Sequence, residues 1–242
     1  MAQYDGVTLR TGTSAKILFA AAFCLALAAG RSLASGAAPR DAASAVVRAQ
    51  EESREISFTP EEREEIFKGG IVLRNISNPG KPGKTAEALG ILPVGLDEAF
   101  AVITDFRRYP EFMPNVKRTV VKNEDSATFV VDVWLDLPLG QKRQYRLRYR
   151  IARMEAGFEV VWEKIPWPEI PSGRTIKDTA GSWRVRRLES GEILGGYRAY
   201  SDAGALDPLI KGIVERKNRQ GLASVVEETR RRILSLYPPV KK

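Results

Sequence analysis

The chain of 242 residues carries 38 lysines and arginines against 30 aspartates and glutamates, a formal net charge of +8, with no histidine and a single cysteine. Lack of histidine excludes histidine metal sites, catalytic triads and histidine general bases. The one thiol, Cys24, lies in an N-terminal apolar run, so the rest of the chain has no disulfide, thiolate nucleophile or cysteine-ligated metal.

Residues 1–35 read as a secretory signal peptide. Arg10 and Lys16 make a basic start. Residues 17–29 are an uncharged apolar run of about 13 residues, the length of a signal-peptide core and short of the about 20 that span a bilayer. Ser32, Leu33 and Ala34 offer a cleavage site near Ala34; the alternatives are an uncleaved anchor or a buried helix. Cleavage places the mature protein in the periplasm or outside the cell. Residues 36–58, rich in Ala, Arg and Glu, read as a linker or loosely helical tether.

The folded domain is expected over residues 59–237, with 238–242 as a tail. Thr59, Pro60 and Glu62 have capping-box spacing and start a short helix that stops at Gly69 and Gly70. Residues 71–76 and 86–94 are strand candidates, separated by the turn-rich segment 78–83. Leu96, Phe100 and Ile103 then recur at helical spacing, with Asp97 and Glu98 in the first turn, where carboxylates oppose the helix dipole. Pro110 and Pro114 bracket a second, very short helix.

The chain beyond Pro114 is a meander. Residues 116–123, 128–136, 143–153, 158–165, 174–188 and 193–202 each hold β-branched or aromatic residues, and short loops favour antiparallel neighbours. Tyr145, Leu147, Tyr149 and Ile151 alternate with Arg146, Arg148 and Arg150. Phe129, Val131, Val133 and Leu135 alternate with Asp132, Trp134 and Asp136; Phe158, Val160 and Trp162 alternate with Glu159 and Glu163. This is a sheet with one buried and one wet face. The arginine row reads as a solvated face neutralised by cross-strand carboxylates, not as a nucleic-acid groove. A helix of about 30 residues follows over 207–237, about 45 Å long if unbroken, with Asp207 as cap and Pro208 at its first position. Its apolar stripe includes Ile210, Ile213, Val214, Leu222, Val225, Val226, Ile233 and Leu236. Gly212 and Gly221 interrupt it, either for close packing on the sheet or to let the helix shift and admit a ligand.

No nucleophile–base pair, metal-ligand spacing or phosphate-cradling loop is visible. The lone acids Asp132, Glu163 and Asp178 serve as an acid or base, or simply as sheet-pairing carboxylates.

The motif running through Ala99-Phe100, Val102-Ile103, Asp105-Phe106 and Tyr109-Pro110-Glu111-Phe112-Met113-Pro114 resembles the opening of the START-like superfamily. That superfamily includes the polyketide cyclase/dehydrase, lipid-transfer and coenzyme Q-binding families. Residues 181–185 (GSWRV), residues 200–204 (YSDAG) and the long final helix follow in the same order, so the resemblance spans roughly residues 65–237. It implies an α+β helix-grip fold: a curved antiparallel sheet wrapped around the C-terminal helix, with two short helices after the first core strand closing one end of an apolar cavity. Wall candidates are Tyr149, Trp162, Trp183 and Tyr197 from strands, Phe112 and Met113 at the mouth, and Ile210, Ile213 and Val214 from the helix; each is equally a plain core residue. No catalytic residue, metal or cofactor is assigned. The expected function is exported, non-enzymatic binding or transfer of a hydrophobic ligand such as a lipid or quinone. The alternatives are a cyclase/dehydrase-type enzyme on an apolar substrate and a partner-binding module with a filled core. The partner is then a hydrophobic small molecule or lipid, with no nucleic acid. A membrane surface is a further contact if Trp167, among the prolines of residues 166–171, projects from the rim; the same loop equally folds back on its own domain.

Overall fold

The computed structural model describes residues 56–239 except 124, 126, 138–139 and 203–207; residues 208–220 are described as helix backbone only, and the side chain of Asn123 is likewise outside the description. The signal-peptide reading and most of the linker lie outside the described residues. No helix among the described residues is long and apolar enough to cross a membrane.

Thr59 caps α1 (Pro60–Phe67) as its spacing demands. The Thr59 hydroxyl accepts from the Glu62 amide at 3.3 Å, and the Glu62 carboxylate accepts from the Thr59 amide at 2.9 Å. The hairpin β1 (Val72–Ile76) and β2 (Lys84–Leu92) follows. Next come α2 (Leu96–Thr104), a 3-10 turn at Phe106–Arg108 and α3 (Tyr109–Phe112). The meander is β3 (Val116–Asn123), β4 (Thr128–Asp136), β5 (Lys142–Met154), β6 (Gly157–Ile165), β7 (Asp178–Arg187) and β8 (Ile193–Asp202). The chain closes with α4 (Pro208–Leu236), a 29-residue helix.

The strands form one eight-stranded antiparallel sheet in the order β1-β2-β8-β7-β6-β5-β4-β3. The meander runs as expected from its short loops. The first hairpin joins at the far side, where β2 pairs with β8 from Lys84 opposite Ser201 to Leu92 opposite Ile193. That pairing starts β2 two residues earlier than local pattern suggested, and Pro93, which has no amide hydrogen to continue a ladder, ends it. Residues 172–174 curl into a 3-10 turn, so β7 begins at Asp178 and not at Arg174.

The curved sheet holds the main core on its concave face. Ala88, Leu92, Val131, Leu147, Val160, Trp183, Val185 and Ile193 from the strands meet Val225, Val226 and Ile233 of α4. This is the α+β helix-grip arrangement. The helix rests chiefly on β1, β2 and β8 and on α2 and α3. A half-buried arginine ties it down: Arg230 donates to the carbonyls of Ile91 at 2.7 Å, Gly69 at 2.9 Å and Gly70 at 3.2 Å. Gly90 makes the room, since a β-carbon there would collide with the Arg230 guanidinium. The close approach expected of a helix glycine is absent at Gly221, where a β-carbon would meet nothing within 4 Å. Gly212 and the cap Asp207 lie outside the described side chains.

A smaller core covers part of the convex face. Ile66 of α1 packs with Leu89, Leu194 and Ile56, flanked by Phe58 and Val72. Arg186 donates to the Ile56 carbonyl at 2.6 Å. Ile56 and Phe58 fall within the stretch read as linker, so the folded unit reaches back at least to Ile56.

Candidate functional site

The inward positions of the middle strands are mostly aromatic. Cross-strand register sets Tyr149 opposite Trp162, Val160 opposite Trp183, and Trp183 opposite Tyr197. Trp162 and Tyr197 stack with centroids 5.2 Å apart and planes at 24°. Trp183 meets the same tyrosine at 5.0 Å, and Tyr149 lies 6.0 Å from Trp162. Trp162 crosses β7 at Gly181, where any side chain would occupy the space of its indole. The two indoles and Tyr197 are thus brought together, as the inward parity of their strands requires.

The band continues into the 3-10 turn and α3. Phe106 lies 4.3 Å from Tyr149, 5.5 Å from Tyr109 and 5.6 Å from Phe129. Tyr109 then meets Phe112 at 5.5 Å. Phe112 and Met113 sit partly buried at this end of the core. Phe112 also lines a cleft of about 130 Å³ against Arg232 and Leu236, near the C-terminal end of α4. A second cleft of about 220 Å³ lies beside Leu96, Asp97, Arg153 and Phe158. Both are smaller than the usual range for a small-molecule site. Ile210, Ile213 and Val214 lie outside the described side chains.

Exposure divides the wall candidates. Trp183 is 1% exposed and Trp162 6%, packed from all sides. Tyr197 keeps part of its surface uncovered, as do Tyr145 and Ile151 on β5. Tyr145 was not among the wall candidates; its spacing of four from Tyr149, on one face of one strand, was the available signal. Burial raises the hydroxyls of Tyr149 and Tyr197 well above the ordinary phenol value, and that of Tyr145 to about 12. Tyr109, also raised by burial, donates its hydroxyl to the Ile103 carbonyl at 2.7 Å.

The carboxylates weighed as acid or base face the other way. Asp132 is 4% exposed on the convex side, bridged to Arg146 at 2.5 Å and to Lys122 at 3.1 Å. Burial alone would raise its carboxyl, but the hydrogen bonds from Arg146 and Lys122 win and hold it below the usual range. Glu163 pairs with Arg150 at 2.7 Å, and Asp178 is exposed. Glu87 and Glu159 are likewise paired outward, to Arg198 at 2.9 Å and Arg184 at 3.1 Å. Among the described residues, no strand carboxylate has inward parity, and no cluster of three or more potential metal ligands occurs.

The proline loop folds back. Trp167 meets Trp134 edge-on at 5.5 Å, and the guanidinium of Arg146 lies 4.6 Å from its ring. The indole is therefore spent on the convex face of its own sheet.

Residues 92–195 match the family described as polyketide cyclase / dehydrase and lipid transport. No curated protein matches the chain in sequence. Among solved structures, human StAR-related lipid transfer protein 5 is similar at 12% identity, covering 81% of this chain and 96% of that one, with a TM-score of 0.62. Human STARD10 is similar at 13% identity, covering 84% and 82%, with a TM-score of 0.61. The STAR-related lipid transfer protein of Xanthomonas axonopodis is similar at 15% identity, covering 68% and 93%, with a TM-score of 0.59. At these identities the likeness is one of fold. Residues 92–195 are thus similar to that family, and the described domain shares the helix-grip fold of these START-like structures.

Proposed function

We propose that this domain binds a hydrophobic ligand between the concave face of the sheet and α4, and carries it without chemical change. The carrying observation is the chemistry of that face. Its inward positions offer indole, phenol and aliphatic surface, while the described strand carboxylates point outward into ion pairs. Apolar walls supply affinity at about 25 cal/mol per Å² of buried surface, less the costs of association. An acid–base mechanism needs a titrating group within reach of the substrate, and the titratable groups described at the middle of that face are phenols held neutral by burial. The lipid-transfer names of the similar structures support the same ligand class.

We further propose export. Arg10, Lys16, the apolar run 17–29 and the small residues before Ser35 support it. The net charge of +8 favours an anionic membrane surface as the place where ligand is exchanged.

The test is native mass spectrometry and solvent extraction of the protein purified from its own cell envelope. The carrier reading expects a co-purifying apolar molecule released intact, and a mature N-terminus close to Ser35 or Gly36. A converted product released from added substrate would overturn it in favour of the cyclase reading. An empty protein that takes up no apolar probe would leave a filled core.

A further inference from the structure

The cleft beside the start of α2 lies at the turn between β5 and β6. Part of its lining is apolar: Leu96, the first residue of α2, Phe158 of β6, and Met154, the last residue of β5, which is 47% exposed. Four charged side chains, Asp97, Arg153, Glu155 and Arg187, also line it. Two of them are already paired. Arg153 has the inward parity of Tyr149 and Ile151 but turns to α2, where its guanidinium lies 3.7 Å from the centre of the Phe100 ring and donates to the Asp97 carboxylate at 3.1 Å.

Glu155 and Arg187 differ from that pair. The Arg187 amide donates to the Ala156 carbonyl at 2.7 Å, which fixes the β5–β6 turn beside the end of β7. An exposed carboxylate and an exposed guanidinium are thus held as neighbours, and no ion pair joins either to a described residue. A lone anion drawn to Arg187 meets Asp97 and Glu155, and a lone cation drawn to Glu155 meets Arg153 and Arg187. Each attraction is then offset by a repulsion. A molecule that carries both charges escapes the conflict and gains both ion pairs. Leu96, Met154 and Phe158 add apolar surface for it to bury. The volume of about 220 Å³ is below that of a drug-sized site and suits a group the size of one amino acid.

We infer that this cleft is a second binding site, which takes a small zwitterion with an apolar group attached. Arg187 holds the oxyanion, Glu155 holds the ammonium, and the apolar group lies on Leu96, Met154 and Phe158. Arg153 and Asp97, tied to each other, form the fixed wall. A free apolar amino acid and a zwitterionic lipid head group share this chemistry. The site lies at the rim of the main core, so the inference goes beyond the carrier reading and does not depend on it.

The experiment is isothermal titration calorimetry of the full-length protein at pH 7 with leucine, with isocaproate, which lacks the ammonium, and with isoamylamine, which lacks the carboxylate. Leucine should bind about threefold to fivefold more tightly than either analogue, the scale of one exposed ion pair. Arg187→Gln should bring leucine down to the affinity of isoamylamine, and Glu155→Gln should bring it down to that of isocaproate. Both side chains are exposed, so the melting temperature should not move. Hexanoyl lysophosphatidylethanolamine identifies the source of the zwitterion. If it displaces leucine and binds more tightly, the occupant is a lipid head group; if leucine binds more tightly, the occupant is a free amino acid. Analogues that bind as tightly as leucine, variants that keep the preference, or a parent that binds neither leucine nor the lysolipid would overturn the site and leave the carrier reading intact.

Discussion

The concave and convex faces belong to the same strands and share every backbone hydrogen bond, yet they are built from opposite chemistry. The concave face buries Val131, Leu147, Val160, Trp183 and Val185 at 4% exposure or less. The convex face carries a ladder of ion pairs, with Asp132 to Arg146, Glu159 to Arg184 and Glu87 to Arg198 on neighbouring strands. Apolar burial repays each methylene with about 0.8 kcal/mol, whereas in these largely buried ion pairs the cost of desolvation offsets much of the attraction. The difference teaches where stability resides. The convex ladder holds neighbouring strands in register and takes up the strand carboxylates, so that the concave face has none among the described residues.

The comparison breaks most sharply at α4. Val226 is fully buried against the concave core. Val226→Asp should abolish cooperative unfolding, because a carboxylate there is desolvated and competes for Arg230, one turn on, with the backbone carbonyls it holds; an unchanged circular dichroism melt would mean that the helix does not face the sheet. Trp183→Ala comes next. Removing an indole that is 1% exposed should cost about 3–5 kcal/mol in urea denaturation, and a loss under about 1 kcal/mol would mark an open wall instead of a packed core.

The phenols sharpen the comparison through pH. The folded-state value of Tyr145 is raised to about 12 by burial, against about 10 in the unfolded chain. Below pH 10 both states are protonated. Between about pH 10 and 12 the unfolded chain releases the proton and the folded one keeps it, so stability falls with pH by up to about 1.4 kcal/mol per unit from this group. Denaturant midpoints at pH 9, 10 and 11 should fall more steeply for the parent than for Tyr145→Phe. Equal slopes would show that this hydroxyl is not buried.

Smaller effects belong to the helix surface and the convex ladder. Gly221→Ala should raise stability by about 1 kcal/mol, since its β-carbon meets nothing within 4 Å; a loss of stability would reveal a contact at that position. Arg150 and Glu163 are 58% and 45% exposed. A double-mutant cycle on this pair should return a coupling of about 0.2–1 kcal/mol that fades in salt, and a larger value would contradict the view of this face as a weakly contributing one.

Much of this was legible in the linear chain, because strand alternation and helix periodicity are local. Tyr145, Leu147, Tyr149 and Ile151 announce one inward face, and the outward row of Arg146, Arg148 and Arg150 announces the other. Thr59, Pro60 and Glu62 form their capping box within four residues of chain. Strand ends were less legible. Lys84 belongs to β2 because Ser201 pairs with it, more than a hundred residues away. At the candidate site, Trp162, Trp183 and Tyr197 could be named from their strands and Tyr145 from its spacing to Tyr149, but the ring contacts among them could not, because partners depend on which strands become neighbours.

By itself, then, the sequence determined which side chains turn inward, where the short helices begin and that a long final helix exists. Each follows from a repeat of two or 3.6 residues acting along the chain. Only the tertiary structure decided what those side chains meet. Arg230 finds carbonyls at Gly69, Gly70 and Ile91. Trp167 turns onto Trp134 instead of leaving the rim, and Gly181 lets Trp162 cross its strand. These contacts join residues far apart in the chain, and they are set by sheet curvature and strand order, which no local repeat encodes.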